Sequence, residues 1–262
     1  VKEKLPHLII VVGGEHPTAI PEYVLRDCPQ IDYVIRGEGE LSLLEFSHAI
    51  FNNKNPNNIT GVCCLDKNNQ FINNGISKRL EHIDEIPRPA WHLLKVENYF
   101  NDYFTSGLAR GRNMAILATR GCPYQCTFCS SPSMWTTRYV MRDPKDLTDE
   151  MEWLVQKYQA TSFEFYDLTA IIKKKWILSF CEELKNRKLN ITWQLPVGTR
   201  TEALDKETLQ AIYDTGCRFI TYAPESGSEE TLKIIKKRVK LERLIDSIKT
   251  AVKIGHTIRL NF

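Results

Sequence analysis

Cys122, Cys126 and Cys129 form a C-x3-C-x2-C arrangement inside T-R-G-C-P-Y-Q-C-T-F-C-S, residues 119 to 130. Thiolates are soft ligands, and three so close in sequence meet on one metal centre only if the loop wraps around it. Gly121 and Pro123 bend the backbone around the first thiol, and the apolar stretch Met114 to Ala118 leads in as a strand. A structural zinc site generally takes a fourth Cys or His from a second half-motif, and none stands at a suitable spacing nearby. The incomplete ligand set is informative, because on a four-iron cluster three thiolates leave one iron free to take a substrate. A zinc loop and three unrelated core cysteines are the competing readings, since free cysteine is commonly buried.

The phrase C-P-Y-Q-C-T-F-C, with Phe128 just before the last cysteine, resembles the signature of the radical S-adenosylmethionine (radical SAM) superfamily. The resemblance implies that Cys122, Cys126 and Cys129 bind a [4Fe–4S] cluster whose open iron chelates the amino and carboxylate groups of SAM. It implies further that an electron from the reduced cluster splits the sulfonium into methionine and a 5'-deoxyadenosyl radical, which abstracts hydrogen from an unactivated C–H bond. A low-potential donor of flavodoxin or ferredoxin type and a small-molecule substrate are the implied partners.

The elements around the loop alternate regularly. Asp143-Pro144 reads as a cap with Pro at the first helical position, followed by a helix to about Gln159 with Leu147, Met151, Leu154, Val155 and Tyr158 on one face. Strands are expected at Phe163 to Tyr166, Ile191 to Leu195, Arg218 to Tyr222 and from Ile258, with helices at Trp176 to Leu184, Lys206 to Tyr213, Glu229 to Ile235 and Leu241 to Ile254. Such repeats predict a parallel sheet with right-handed crossovers, in a barrel or an open sheet. Ligands bind at the C-terminal strand ends of these folds. The cysteine loop follows the first strand, Asp167 the second, Gly198-Thr199-Arg200 the third and Pro224-Glu225-Ser226-Gly227 the fourth.

Those positions, matched to the resemblance, give an expected SAM site. Asp167 accepts from the ammonium, Arg200 pairs with the carboxylate through its planar fork, Glu225 and Ser226 in the E-S-G phrase meet the ribose, and backbone near Phe128 meets adenine. For Asp167 a helix cap and for Arg200 a rim salt bridge are the structural alternatives. Trp135 suits shielding of the cluster, the substrate cavity or plain packing. Cys181 and Cys217 read as core residues, and Cys63-Cys64, adjacent in a strand, point to opposite faces and so share no ligand.

The chain opens on Leu8-Ile9-Ile10-Val11-Val12, a β-branched run that reads as a buried parallel strand, closed by Gly13-Gly14. A short helix from Pro21 to Arg26, a strand at Tyr33 to Ile35, a helix at Leu41 to Phe51 and a hairpin around Asp66-Lys67-Asn68-Asn69 follow. I-V-V-G-G-E-H-P with D-Y-V-I-R-G-E-G-E, and the linker I-P-R-P-A-W at residues 86 to 91, resemble the cobalamin-binding domain and connector of one radical SAM subgroup. That subgroup includes members like the anaerobic Mg-protoporphyrin monomethyl ester cyclase and the class B methyltransferases. The resemblance implies cobalamin as a further cofactor, with Gly13 and Gly14 against its nucleotide tail; His16 reads as a surface histidine.

The expected fold class is thus α/β: the C-terminal part of a Rossmann-like cobalamin-binding domain at 1–95, then an incomplete (β/α)6-type radical SAM partial barrel at 96–262. A domain boundary near 95 to 112 follows, and both halves read as cut, as in an internal piece of a longer protein. With 262 residues, 42% hydrophobic and 26% charged, the composition suits a globular protein. The net charge of +3 singles out no acidic partner. The basic residues Lys233, Lys236, Lys237, Arg238 and Lys240 lack interleaved aromatics, which argues for a solvated face over nucleic acid. There is no signal pattern, and apolar runs are too short to span a bilayer. Eight cysteines fit a reducing compartment, with the cytoplasm as default. A methylthiotransferase would need three further cysteines upstream, and Cys28, Cys63 and Cys64 lack that spacing. A non-catalytic electron carrier would not need the SAM-shaped rim.

Overall fold

The structure, a computed structural model, describes residues 1–101 and 105–262. They divide into two compact units, Val1–Glu81 with Cys129–Thr137, and His82–Phe128 with Arg138–Phe262. The division falls at Glu81, ahead of the I-P-R-P-A-W linker. Residues 102–104 of the expected boundary range lie outside the described residues.

The first unit is built on β1 (Val11–Gly13), α1 (Glu15–Ala19), α2 (Pro21–Asp27), β2 (Tyr33–Ile35), α3 (Gly39–Phe51), β3 (Val62–Leu65) and β4 (Phe71–Asn73). The strands lie in the order β1-β2-β3-β4, the first pair parallel and the rest antiparallel. Alternation along β2 serves two cores: Val34 packs with Val24, Leu25 and Cys63, whereas Ile35 packs with Phe46, Ile59 and Val62. The expected opening strand is shorter than its apolar run. Asp32 Oδ2 accepts from the amide of Ile10 at 2.7 Å while the Ile10 carbonyl accepts from the amides of Asp32 and Tyr33; residue pairing starts only at Val11, and Leu8 and Ile9 stay 41% and 40% exposed. The hairpin forms as read, because Asp66 Oδ1 accepts from the amides of Asn68 and Gln70 at 2.8 and 2.7 Å.

The second unit begins with two short 3-10 turns and α4 (Val96–Asn101), then β5 (Asn113–Ile116) and β6 (Thr119–Arg120). After α5 (Ser131–Trp135), which belongs to the first unit, come β7 (Val140–Met141), α6 (Pro144–Tyr158), β8 (Ser162–Phe165), α7 (Lys174–Arg187) and β9 (Thr192–Thr199). The chain closes with α8 (Lys206–Asp214), β10 (Cys217–Tyr222), α9 (Glu229–Ile234), α10 (Leu241–Ile254) and β11 (Thr257–Leu260). Strands β5, β8, β9, β10 and β11 lie side by side in that order, every pair parallel.

Local chemistry accounts for these elements. Asp143 caps α6 by accepting from the amides of Lys145 and Asp146, and Leu147, Met151 and Leu154 on its inner face are fully buried. Trp176 stacks on Phe180 with centroids 5.8 Å apart, and Phe180 meets Trp193 edge-on at 5.6 Å, so α7 is keyed to β9 by aromatic contacts. Strand β9 runs past its expected end at Leu195 to Thr199. Pro196 and Gly198 sit at a register shift against β10, the bulge that lets a proline remain in a sheet. A two-stranded antiparallel ribbon, β6 with β7, pairs Thr119 with Met141 and Arg120 with Val140. This ribbon closes the base of the cysteine loop, and its two-residue strands are too short to show periodicity. Cys181 and Cys217 are core residues as expected, with burial pushing the Cys181 thiol up to about 11. No helix among the described residues is long and apolar enough to cross a membrane.

Candidate active site

The cysteine loop leaves the sheet through Gly121, whose φ of +85° suits glycine. Cys122 and Cys126 are half-buried and Cys129 is exposed, whereas Cys63, Cys64, Cys181 and Cys217 are buried. The loop is tied down by the Thr127 amide donating to the carbonyl of Ile235 at 3.0 Å. Cys126 Sγ lies 3.9 Å from the Lys236 carbonyl oxygen, and Cys129 Sγ accepts from the Ser131 amide at 3.4 Å. Among the described residues no group of three or more His, Cys, Asp or Glu side chains already stands in ion-holding geometry, so the fit rests on the donor set. Three accessible soft thiols suit an iron–sulfur cluster, and an N–H directed at one sulfur is a bond that tunes such centres.

The rim residues divide by what holds them. Asp167 is fully buried, and its carboxylate accepts from the amides of Ala118 and Thr119 and from the Thr119 hydroxyl. Burial pushes its carboxyl up to about 6 against the pull of these donors. Where the sequence led us to expect a partner for an ammonium group, the carboxylate braces the chain as it enters the cysteine loop. Arg200 is similarly engaged: Nε and Nη2 donate to Glu202 Oε1 at 2.8 and 2.6 Å, and Nη2 also donates to the Arg238 carbonyl at 2.6 Å. Its guanidinium lies 3.6 Å from the centroid of Tyr124, between the first two cysteines. Glu202 thus meets the fork expected to face the SAM carboxylate, in the rim salt bridge that was the structural alternative.

Glu225 and Lys237 stand differently. Glu225 takes a left-handed φ of +68° and accepts from Lys237 Nζ at 2.9 Å. The Lys237 ammonium lies 5.8 Å from the ring centroid of Phe128, which is 56% exposed beside Cys129. Ser226 Oγ accepts from the Ser228 amide at 3.1 Å and shapes the turn into α9. Lys237 is the residue that the sequence hides among five basic side chains. Its amide bonds back to the Leu232 carbonyl at 2.9 Å while Lys236 takes φ +55°. This reversal turns Lys237 inward, and without a glycine it leaves no mark in the sequence.

In the first unit, Gly13 and Gly14 line a cavity of about 470 Å³ with Val12, Ile35, Met134 and Trp135. A Cβ on Gly14, at φ +102°, would meet nothing within 4 Å, and one on Gly13 would come within 3.3 Å of the Ile35 carbonyl. The glycine pair therefore keeps one wall low, as a flat or bulky ligand requires, and its mostly apolar walls suit a cobalamin tail. Trp135 lines this cavity, with the Arg79 guanidinium 5.5 Å from its ring. His16 is exposed, as read.

The cysteine loop thus follows the first strand of a parallel α/β sheet, with Asp167, Arg200 and Glu225 after the next three strands, the edge at which such folds hold ligands. Comparison with known proteins agrees, for residues 116–261 match the radical SAM superfamily and residues 1–47 match the B12 binding domain. The chain belongs to the radical SAM superfamily, in its cobalamin-binding-domain subgroup. A [4Fe–4S] cluster and SAM are its cofactors by that membership, with cobalamin supported by the second match.

An uncharacterized methyltransferase of Pyrococcus horikoshii is 30% identical over 95% of this chain and 52% of its own length. The anaerobic magnesium-protoporphyrin IX monomethyl ester cyclase of Rubrivivax gelatinosus is 28% identical over 92% of this chain and 43% of its own length. The chain thus spans about half the length of the curated relatives it matches. Among solved structures, the radical SAM methyltransferase TsrM of Kitasatospora setae superposes with a TM-score of 0.78 at 18% identity, over 98% of this chain and 50% of that one. The cobalamin-dependent radical enzyme OxsB superposes at 0.80 with 19% identity, over 96% of this chain and 36% of that one. At such identities the likeness establishes the fold.

Proposed function

We propose that the protein is a cobalamin-associated enzyme that cleaves SAM reductively and carries out C-methylation or cyclisation of a small molecule. The observation that carries this reading is the accessible triad Cys122, Cys126 and Cys129, with the Lys237–Glu225 pair beside Phe128 next to it. Cys122, Cys126 and Cys129 would hold the cluster, which would supply the one electron that reductive cleavage of the SAM sulfonium requires. The chain's own residues bind and orient. Lys237 pairs with the SAM carboxylate, Glu225 accepts from the ribose hydroxyls, and the backbone near Phe128 meets adenine.

Asp167 and Arg200 work one step behind, the first on Thr119 and the second on Tyr124, so that both ends of Cys122's surroundings are held. Such bracing keeps a reactive centre from wandering within a loop. The relatives support methyl transfer and ring closure alike, and a low-potential flavodoxin or ferredoxin is the donor that fits either. The test is to reconstitute the chain anaerobically with iron and sulfide, add dithionite and SAM, and measure 5'-deoxyadenosine by chromatography with mass detection. Formation that is lost in Cys126→Ala supports the reading, and a correctly loaded cluster that releases none refutes it.

A further inference from the structure

The basic run between α9 and α10 is not used by this site beyond Lys237. It lines a groove of about 650 Å³ to which the cysteine loop itself contributes Tyr124 and Gln125. Lys233, Lys236, Arg238 and Lys240 share that groove, all exposed. Lys237 and Arg200 are paired with Glu225 and Glu202, whereas none of these four cations holds a carboxylate among the described residues. Two carboxylates, Glu229 and Glu242, also line the groove, leaving an excess of positive charge. The basic segment is bonded to the loop through the Thr127 amide to the Ile235 carbonyl at 3.0 Å, and Cys126 Sγ is 3.9 Å from the Lys236 carbonyl oxygen.

We propose that this groove is the docking site of an acidic redox protein that delivers the electron. The inference rests on the radical SAM reading and names the partner of that site. The donor gives one electron to the metal group held by the thiolates and leaves oxidised by one electron, with no proton or bond changed in the groove. Unpaired cations around a short path to the cluster ligands steer such a partner and fix its orientation. Pro123, Val239 and Leu241 line the groove among the charges and offer apolar contact, the mixture found at protein interfaces.

A single-stranded nucleic acid needs stacking platforms, and the face of Tyr124 is covered by Arg200 at 3.6 Å. A small anion is held by converging, sheltered donors, whereas these four side chains are exposed.

The test is a titration of the anaerobically reconstituted chain with an acidic flavodoxin, followed by calorimetry at low and moderate salt. Association that weakens as salt rises is expected, and the triple variant Lys233→Glu, Lys236→Glu, Lys240→Glu is expected to weaken it about tenfold or more. A control with the same net charge, Lys185→Glu, Lys188→Glu, Lys253→Glu, changes lysines near the far ends of α7 and α10 and is expected to bind like the parent. With dithionite in place of the protein donor, the groove variant still forms 5'-deoxyadenosine. Three results would overturn the proposal: equal weakening in both variants, no association of the parent at low salt, or displacement of flavodoxin by a single-stranded RNA through the same lysines. If dithionite fails to drive SAM cleavage in the parent, the underlying reading fails, while the binding isotherms still decide the docking site.

Discussion

Among single residues, Asp167 and Lys237 show how burial changes the meaning of a charge. Burial holds the Asp167 carboxyl up to about 6 from its usual 3.8. The folded protein therefore keeps a proton that the unfolded chain has already released. The stability this gives is complete below pH 3.8 and is lost as pH rises through about 6. Asp167→Asn is expected to flatten that part of the stability profile, read from urea midpoints across the range, and an unchanged slope would remove the residue from the account. Lys237→Met and Glu225→Gln are each expected to weaken SAM binding by roughly tenfold to a hundredfold, the loss of one charge-assisted bond. Equilibrium dialysis against reconstituted protein measures it, and unaltered affinity in both would move the SAM site elsewhere. The sequence showed Glu225 through the E-S-G phrase, whereas Lys237 was one of five basic residues, distinguished only by a backbone reversal.

At the scale of elements, the strands and helices of the second unit were legible because capping and periodicity agree. Asp143 before Pro144, and the Leu147, Met151, Leu154 stripe, describe α6 almost to the residue. The β6–β7 ribbon was not legible, since two-residue strands carry no pattern, and β1 was overread because residue pairing starts only at Val11, with Asp32 taking the Ile10 amide. Gly216, between α8 and β10, is a place where the turn sets the residue. It has φ +103°, and an added Cβ would sit 2.4 Å from the Ile191 carbonyl oxygen. Gly216→Ala combines a left-handed penalty with a backbone clash, and an expected loss of about 2 to 4 kcal/mol is measurable by denaturant unfolding. A loss below about 0.5 kcal/mol would show that this turn relaxes freely.

For the molecule as a whole, each unit offers its own candidate site: an apolar cavity with a low glycine wall in one, and a parallel sheet ending in charged groups in the other. The sequence drew attention to both through short phrases, Gly13-Gly14 and the cysteine triad, whose residue types the proposed ligands account for more readily than packing does. It did not disclose which rim side chains brace the loop and which face outward, since Asp167 and Arg200 look equally suited to a ligand until their partners Thr119 and Glu202 are seen. The central claim is that three thiolates hold a cluster with one iron open to SAM. It is tested most directly by reducing the reconstituted chain anaerobically and recording its EPR spectrum with and without SAM. A four-iron signal that shifts when SAM is added and disappears in Cys126→Ala is the expected result, and a fully loaded cluster whose signal ignores SAM would contradict the account.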